Sequence, residues 1–119
     1  MIGSITNRRA HLTLFISGDG GQGNAEFTLD TGFTGALTLP PDVCVALQLT
    51  WISRRSAFLA DRSQTLLDSY VITLLLENAE REFEVLAIES EPLLGMTFLE
   101  GYEVYLQVIE NGIVRLEAI

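Results

Sequence analysis

The segment Phe27-Thr28-Leu29-Asp30-Thr31-Gly32-Phe33-Thr34-Gly35 sets a carboxylate at the end of an apolar run, directly before Thr-Gly. Such a carboxylate stands where a strand gives way to a tight loop, and Gly32 lets the backbone turn and approach a ligand closely. The chemistry open to it is acid–base. An ionised carboxylate takes a proton from an attacking water, and a protonated one gives a proton to a carbonyl oxygen. The Thr31 hydroxyl is expected to bond back into the loop and fix it. As a bare tripeptide Asp-Thr-Gly arises by chance in roughly a few per cent of chains this long, so it needs company to carry a function.

Other reactive residue types point to less. Gly18-x-Gly20-x-x-Gly23 matches the spacing of a dinucleotide fingerprint, but Asn24-Ala25-Glu26-Phe27-Thr28-Leu29 continues as a strand where the fingerprint needs a helix N-terminus for the pyrophosphate. A glycine-rich hairpin loop is the expected reading. His11, the one histidine, has no neighbouring nucleophile signature and reads as a strand surface residue. Cys44, between Val43 and Val45, reads as a small buried thiol, and Trp51 as core or interface packing. Glu77, Glu80, Glu82 and Glu84 read as a solvated face.

Composition narrows the classes further. The 119 residues suit one domain, 1–119, able to build a core without staples, and one cysteine excludes an internal disulfide or a Cys-x-x-Cys zinc cluster. No metal or other cofactor is expected. Sixteen acidic residues against seven arginines give a formal charge of −9 with no continuous basic stripe, which disfavours a nucleic-acid partner. Apolar stretches are far short of the ~20 residues a membrane helix needs, and no apolar leader core follows a basic start, so no membrane partner and a cytoplasmic location are expected.

The elements that must position Asp30 are mostly strands. Leu12, Leu14 and Ile16 alternate with His11, Thr13 and Phe15, and Ala25, Phe27 and Leu29 alternate with Asn24, Glu26 and Thr28, with Gly18 to Gly23 as the flexible connection. Leu37-Thr38-Leu39 is a third strand ended by Pro40. Pro41 to Leu49 predicts one or two helical turns. Arg55 to Leu59, Leu67 to Leu76 and Glu82 to Ile88 read as strands, with turns at Asp61-Arg62-Ser63 and Asn78-Ala79-Glu80. Met96 to Glu100 fits a helical turn stopped by Gly101. Tyr102 to Val108 and Ile113 to Glu117 form a hairpin in which Asn111-Gly112 predicts a type I′ turn.

The second element of the constellation is Leu93-Leu94-Gly95-Met96-Thr97-Phe98-Leu99: two aliphatics, a glycine and a helix. The order of strand-Asp-Thr-Gly, third strand, central hairpin and Leu-Leu-Gly-helix, spanning about Ile2 to Leu116, resembles the retropepsin-like aspartic protease family, particularly its small bacterial members. The resemblance implies an all-β fold, a closed or partly open small β-barrel with one or two short helices, assembled as a homodimer. It implies that Asp30 is the catalytic aspartate, that the Thr31 hydroxyl interlocks with its counterpart across the dimer, and that the Gly32 carbonyl faces the substrate backbone. Leu94 and Gly95 match the element that packs beneath the active-site loop. Phe58 to Tyr70 lies where family members carry the flap, with its tip at Ala60, Asp61, Arg62 and Ser63.

Chemistry sets the stoichiometry as well. Peptide hydrolysis by this route needs two carboxylates sharing one proton, and one Asp-Thr-Gly is present. The second carboxylate is therefore expected from Asp30 of another copy across a two-fold axis, acting on a polypeptide substrate. The sequence departs from retroviral members at Phe33, Thr34 and Met96. Those members carry a small residue, an acidic residue and its arginine partner there, and losing both charges together leaves no buried charge unpaired. Phe33 and Thr34 are expected at the substrate cleft, where the Phe33 ring either narrows the cleft or turns into the core. The first alternative supports a second function, a catalytically silent dimer that binds peptide or a partner domain. Arg62 at the flap tip takes a position where glycine costs less.

Overall fold

The computed structural model describes residues 1–58 and 61–119. Within them the elements run β1 (Ile2–Thr6), β2 (Arg9–Gly18), β3 (Gly21–Leu29), β4 (Leu37–Leu39), α1 (Pro41–Ala46), β5 (Thr50–Phe58), β6 (Gln64–Leu76), β7 (Ala79–Ala87), β8 (Leu93–Leu94), α2 (Met96–Leu99), β9 (Tyr102–Leu106) and β10 (Ile113–Ala118). All strands join one sheet in the order β5-β6-β7-β4-β8-β3-β2-β1-β10-β9. The all-β expectation and both short helices are present. Among the described residues the edges β5 and β9 do not pair, so the ladder is open rather than closed. The sheet nevertheless curls, for β2 packs against β6 although the two are five places apart in the ladder.

Period two explains the curl. Leu12, Leu14 and Ile16 of β2 and Ile72, Leu74 and Leu76 of β6 are buried, while Thr13, Phe15, Thr73 and Leu75 face outward. Each buried aliphatic contributes ~1.5–3 kcal/mol over its exposed state, so the two apolar faces are driven together. Phe27, Phe83, Val85, Phe98, Val114 and Leu116 complete one continuous cluster. β4 is buried on both faces, with Leu37, Thr38 and Leu39 each 1% exposed, because β7 and β8 flank it in mid-sheet. No helix is long and apolar enough to cross a membrane among the described residues.

Several local expectations are corrected. β1 was not readable as a strand, since only Ile5 on it is buried. Its ladder is made by β10 (Ile2↔Arg115) and β2 (Ser4↔His11). The glycine-rich loop is shorter than expected, because β2 and β3 pair as far as Gly18↔Gly21 and leave Asp19-Gly20 as the turn. Asn111-Gly112 is not a type I′ turn. Asn111 has φ 61° but Gly112 does not have positive φ, and Gln107 holds this connection by accepting the Ile113 N–H on its side chain at 3.1 Å. The paired positive φ angles fall instead at Asn7-Arg8 and Glu77-Asn78. Trp51 is not core: it is 55% exposed on the edge strand β5. His11, expected on the surface, is largely covered, with Nδ1 3.3 Å from Thr28 Oγ1 and 3.5 Å from Glu26.

Candidate functional site: the Asp30 loop

Asp30 follows the last residue of β3 and is partly buried. β3 runs parallel to β8 in the register Thr28↔Leu93 and Leu29↔Leu94, and that pairing carries past the strand end: the Asp30 N–H donates to Leu94 O at 2.8 Å. The loop then turns tightly. Gly32 N–H donates to Asp30 Oδ1 at 2.9 Å, and Phe33 N–H donates to Asp30 O at 3.2 Å. Among the described residues Asp30 Oδ2 makes no hydrogen bond, which leaves that oxygen for proton chemistry. One carboxylate oxygen is thus held by the loop backbone.

Leu94 and Gly95 lie against this loop. Leu94 is 0% exposed between β3 and β4 (Leu37↔Leu94), and Gly95 N–H donates to Ala36 O at 2.8 Å. Helix α2 grips the loop's far side. Met96 N–H donates to Phe33 O at 2.8 Å, Thr97 N–H to Gly35 O at 3.2 Å, and the Thr97 hydroxyl to Thr34 O at 2.6 Å.

Phe33 is half-buried and lies outside the core cluster. Its ring lies against the Cα atoms of Gly35 and Gly95: a Cβ on Gly35 would stand 2.5 Å from Phe33 Cζ, and one on Gly95 would stand 2.5 Å from Phe33 Cδ2. Phe33 thus turns back onto the supporting segment, while Thr31, Gly32 and Thr34 are exposed. The Thr31 hydroxyl makes no hydrogen bond among the described residues. The loop is fixed instead by the Asp30 carboxylate and by the Thr97 hydroxyl.

At the expected flap tip Ala60 lies outside the described residues. β5 and β6 pair up to Phe58↔Gln64, and Asp61, Arg62 and Ser63 are exposed. Arg62 does adopt φ 68°, and the turn is held by Asp61 Oδ1, which accepts both the Ser63 N–H and its hydroxyl. Those two Ser63 bonds, the hydroxyl first, hold the Asp61 carboxyl below its ordinary range. Cys44 is fully buried, and burial pushes its thiol up to about 11, so it is inert as a nucleophile.

Sequence reading missed two supports. Thr38, 1% exposed, accepts the Leu93 N–H on its hydroxyl at 2.9 Å and so ties β4 to β8. Glu91 accepts both contacts from Arg9, at 2.8 and 2.9 Å, and also the Thr28 hydroxyl at 3.3 Å, pinning the segment before β8 to β2 and β3. A threonine inside an apolar Leu-Thr-Leu strand was a usable signal for Thr38; nothing local marks Glu91.

No protein-family model matches the chain, and no curated protein sequence matches it. A crystal structure of a retropepsin-like aspartic protease from Rickettsia conorii is similar, with a TM-score of 0.51 and 19% identity over 99% of this chain and 95% of that one. The likeness is one of fold, and it makes a retropepsin-like arrangement the class to which this sheet compares.

Proposed function

We propose that the chain is one subunit of a homodimeric aspartic endopeptidase. The observation that carries this reading is the setting of Asp30, at the end of β3 in a fold similar to a retropepsin-like aspartic protease, with one carboxylate oxygen held by Gly32 N–H and the other unbonded within the described residues. Two such carboxylates brought together by a two-fold axis share one proton. The ionised one takes a proton from the attacking water while the protonated one donates to the scissile carbonyl, giving a tetrahedral intermediate; proton return to the amine then releases the two peptides. In this reading the exposed Thr31 meets its counterpart in the second copy, and the β5–β6 hairpin acts as the cover for an extended polypeptide.

Pepstatin-sensitive cleavage of unfolded casein by the purified protein, absent in Asp30→Asn, is the expected result. Asp30→Asn keeps the shape and removes the base, so the fold persists. Cleavage at the wild-type rate by that variant, free of host proteases, would remove the assignment.

A further inference from the structure

We propose that Phe33 is a positioning residue, an aromatic lock that couples helix α2 to the Asp30 carboxylate. Every link is in place between the two. The Phe33 N–H bonds to Asp30 O, its carbonyl accepts the Met96 N–H from the first residue of α2, and its ring covers the Cα atoms of Gly35 within the loop and Gly95 at the helix entry. One residue therefore touches the start of the loop, its end and the supporting helix. Here the connection is uncharged, made by Met96 N–H to Phe33 O, the Thr97 hydroxyl to Thr34 O, and the ring between them. Gly35 is then required by the ring, since a side chain there would occupy its seat.

The two glycines differ in a way that makes the lock testable. At Gly35 the three nearest atoms to an added Cβ are all Phe33 ring carbons, at 2.5, 2.7 and 3.4 Å. At Gly95 the added Cβ meets backbone too, Gly35 O at 2.2 Å and Phe33 O at 2.7 Å, beside the ring. Removing the ring clears the first obstruction and not the second. Gly35→Ala should therefore be harmful only when Phe33 is present, whereas Gly95→Ala should be harmful in either background.

The proposal rests on the protease reading only for what the carboxylate does, and its decisive readout is independent of catalysis. Amide hydrogen exchange is measured in the full chain at Asp30, Gly32 and Met96, whose N–H groups bond to Leu94 O, the Asp30 carboxylate and Phe33 O, against Leu74 and Val85 in the core as references. In Phe33→Leu and Phe33→Ala the three loop amides should exchange at least about tenfold faster relative to the references. Gly35→Ala should produce the same local acceleration, and should add nothing to Phe33→Ala. Uniform acceleration of loop and core amides would mean that the ring only stabilises the fold, and would overturn the lock. An equal effect of Gly35→Ala with and without the ring would overturn it as well. Phe33→Leu keeps most of the apolar volume, so a folded variant is in hand should Phe33→Ala not fold. A wild-type protein that leaves casein intact while the exchange pattern holds would sink the protease reading and support the lock. The reverse pair of results would do the opposite.

Discussion

Thr38 shows how a single polar group can carry a site it never touches. It is buried at 1% exposure among leucines, and its hydroxyl satisfies the Leu93 N–H, fixing the two-residue strand that places Leu94 O against Asp30. Thr38→Val keeps the shape and leaves that donor without a partner, which costs ~1–3 kcal/mol. Urea unfolding should show the loss as a lower midpoint with an unchanged slope, and a midpoint equal to wild type would show that water or a shifted β8 satisfies the amide. Asp30 was legible as the candidate for chemistry because its type, the strand before it and the glycine after it are adjacent in sequence. Phe33 was legible only as a question, since the two glycines beneath its ring lie 2 and 62 positions away.

At the scale of the element, β5 buries none of its residues, and polar contacts across to β6 hold it. Trp51 Nε1–H donates to Asp68 Oδ1 at 3.1 Å and Arg54 Nε–H to the same oxygen at 3.3 Å, while Arg55 reaches past β6 to pair with Glu84 of β7. The indole N–H first, and then Arg54, holds the Asp68 carboxyl below its ordinary range. A carboxyl lowered in the folded state contributes stability that is present above its unfolded value of about 3.9 and is lost as pH falls through the folded value. The contacts around Trp51 should thus persist through pH 4 and loosen only below it. Fluorescence of the one tryptophan should report a transition whose midpoint lies under about 3.9, and Asp68→Asn should flatten it. A midpoint above that value would contradict the assignment. Most of β5 escaped sequence reading for the same reason that it is polar: as an edge strand it buries little on either face, so the apolar alternation that revealed β2 and β6 is missing.

For the whole molecule, the proposed dimer must bring together two chains of formal charge −9 and two Asp30 carboxylates. Carboxylates held close cannot both ionise cheaply, so association takes up a proton and is favoured as pH falls. General repulsion acts in the same direction, and Asp30→Asn separates the two contributions because it removes the shared proton and little of the remaining charge. Between about pH 4 and pH 7 the dimer constant of Asp30→Asn should change less than that of the wild type at matched ionic strength. Equal slopes in sedimentation would mean that no proton is shared. Thr31→Val should weaken the proposed dimer by ~1–3 kcal/mol while leaving monomer unfolding unchanged, because Thr31 is exposed in the single chain and the proposed interlock is what its hydroxyl would bond. An unchanged dimer constant would count against the interlock.

Taken alone, the residue order determined which segments alternate, where the apolar faces lie and that a lone carboxylate stands at the end of a strand beside glycine. Those features depend on neighbours within a few positions, and periodicity reads them directly. A support under Asp30 from Leu94 and Gly95 was implied by the resemblance and not by the residues alone. Tertiary structure alone decided that β1 is a strand, that Asn111-Gly112 does not form the turn its residues favour, and that the Phe33 ring folds back onto Gly35 and Gly95. Each of these depends on a partner distant in sequence, such as β10 for β1 or Gly95 for Phe33. The packing or hydrogen bond that such a partner supplies outweighs a local preference of about 1 kcal/mol, and its position is not written in the segment itself.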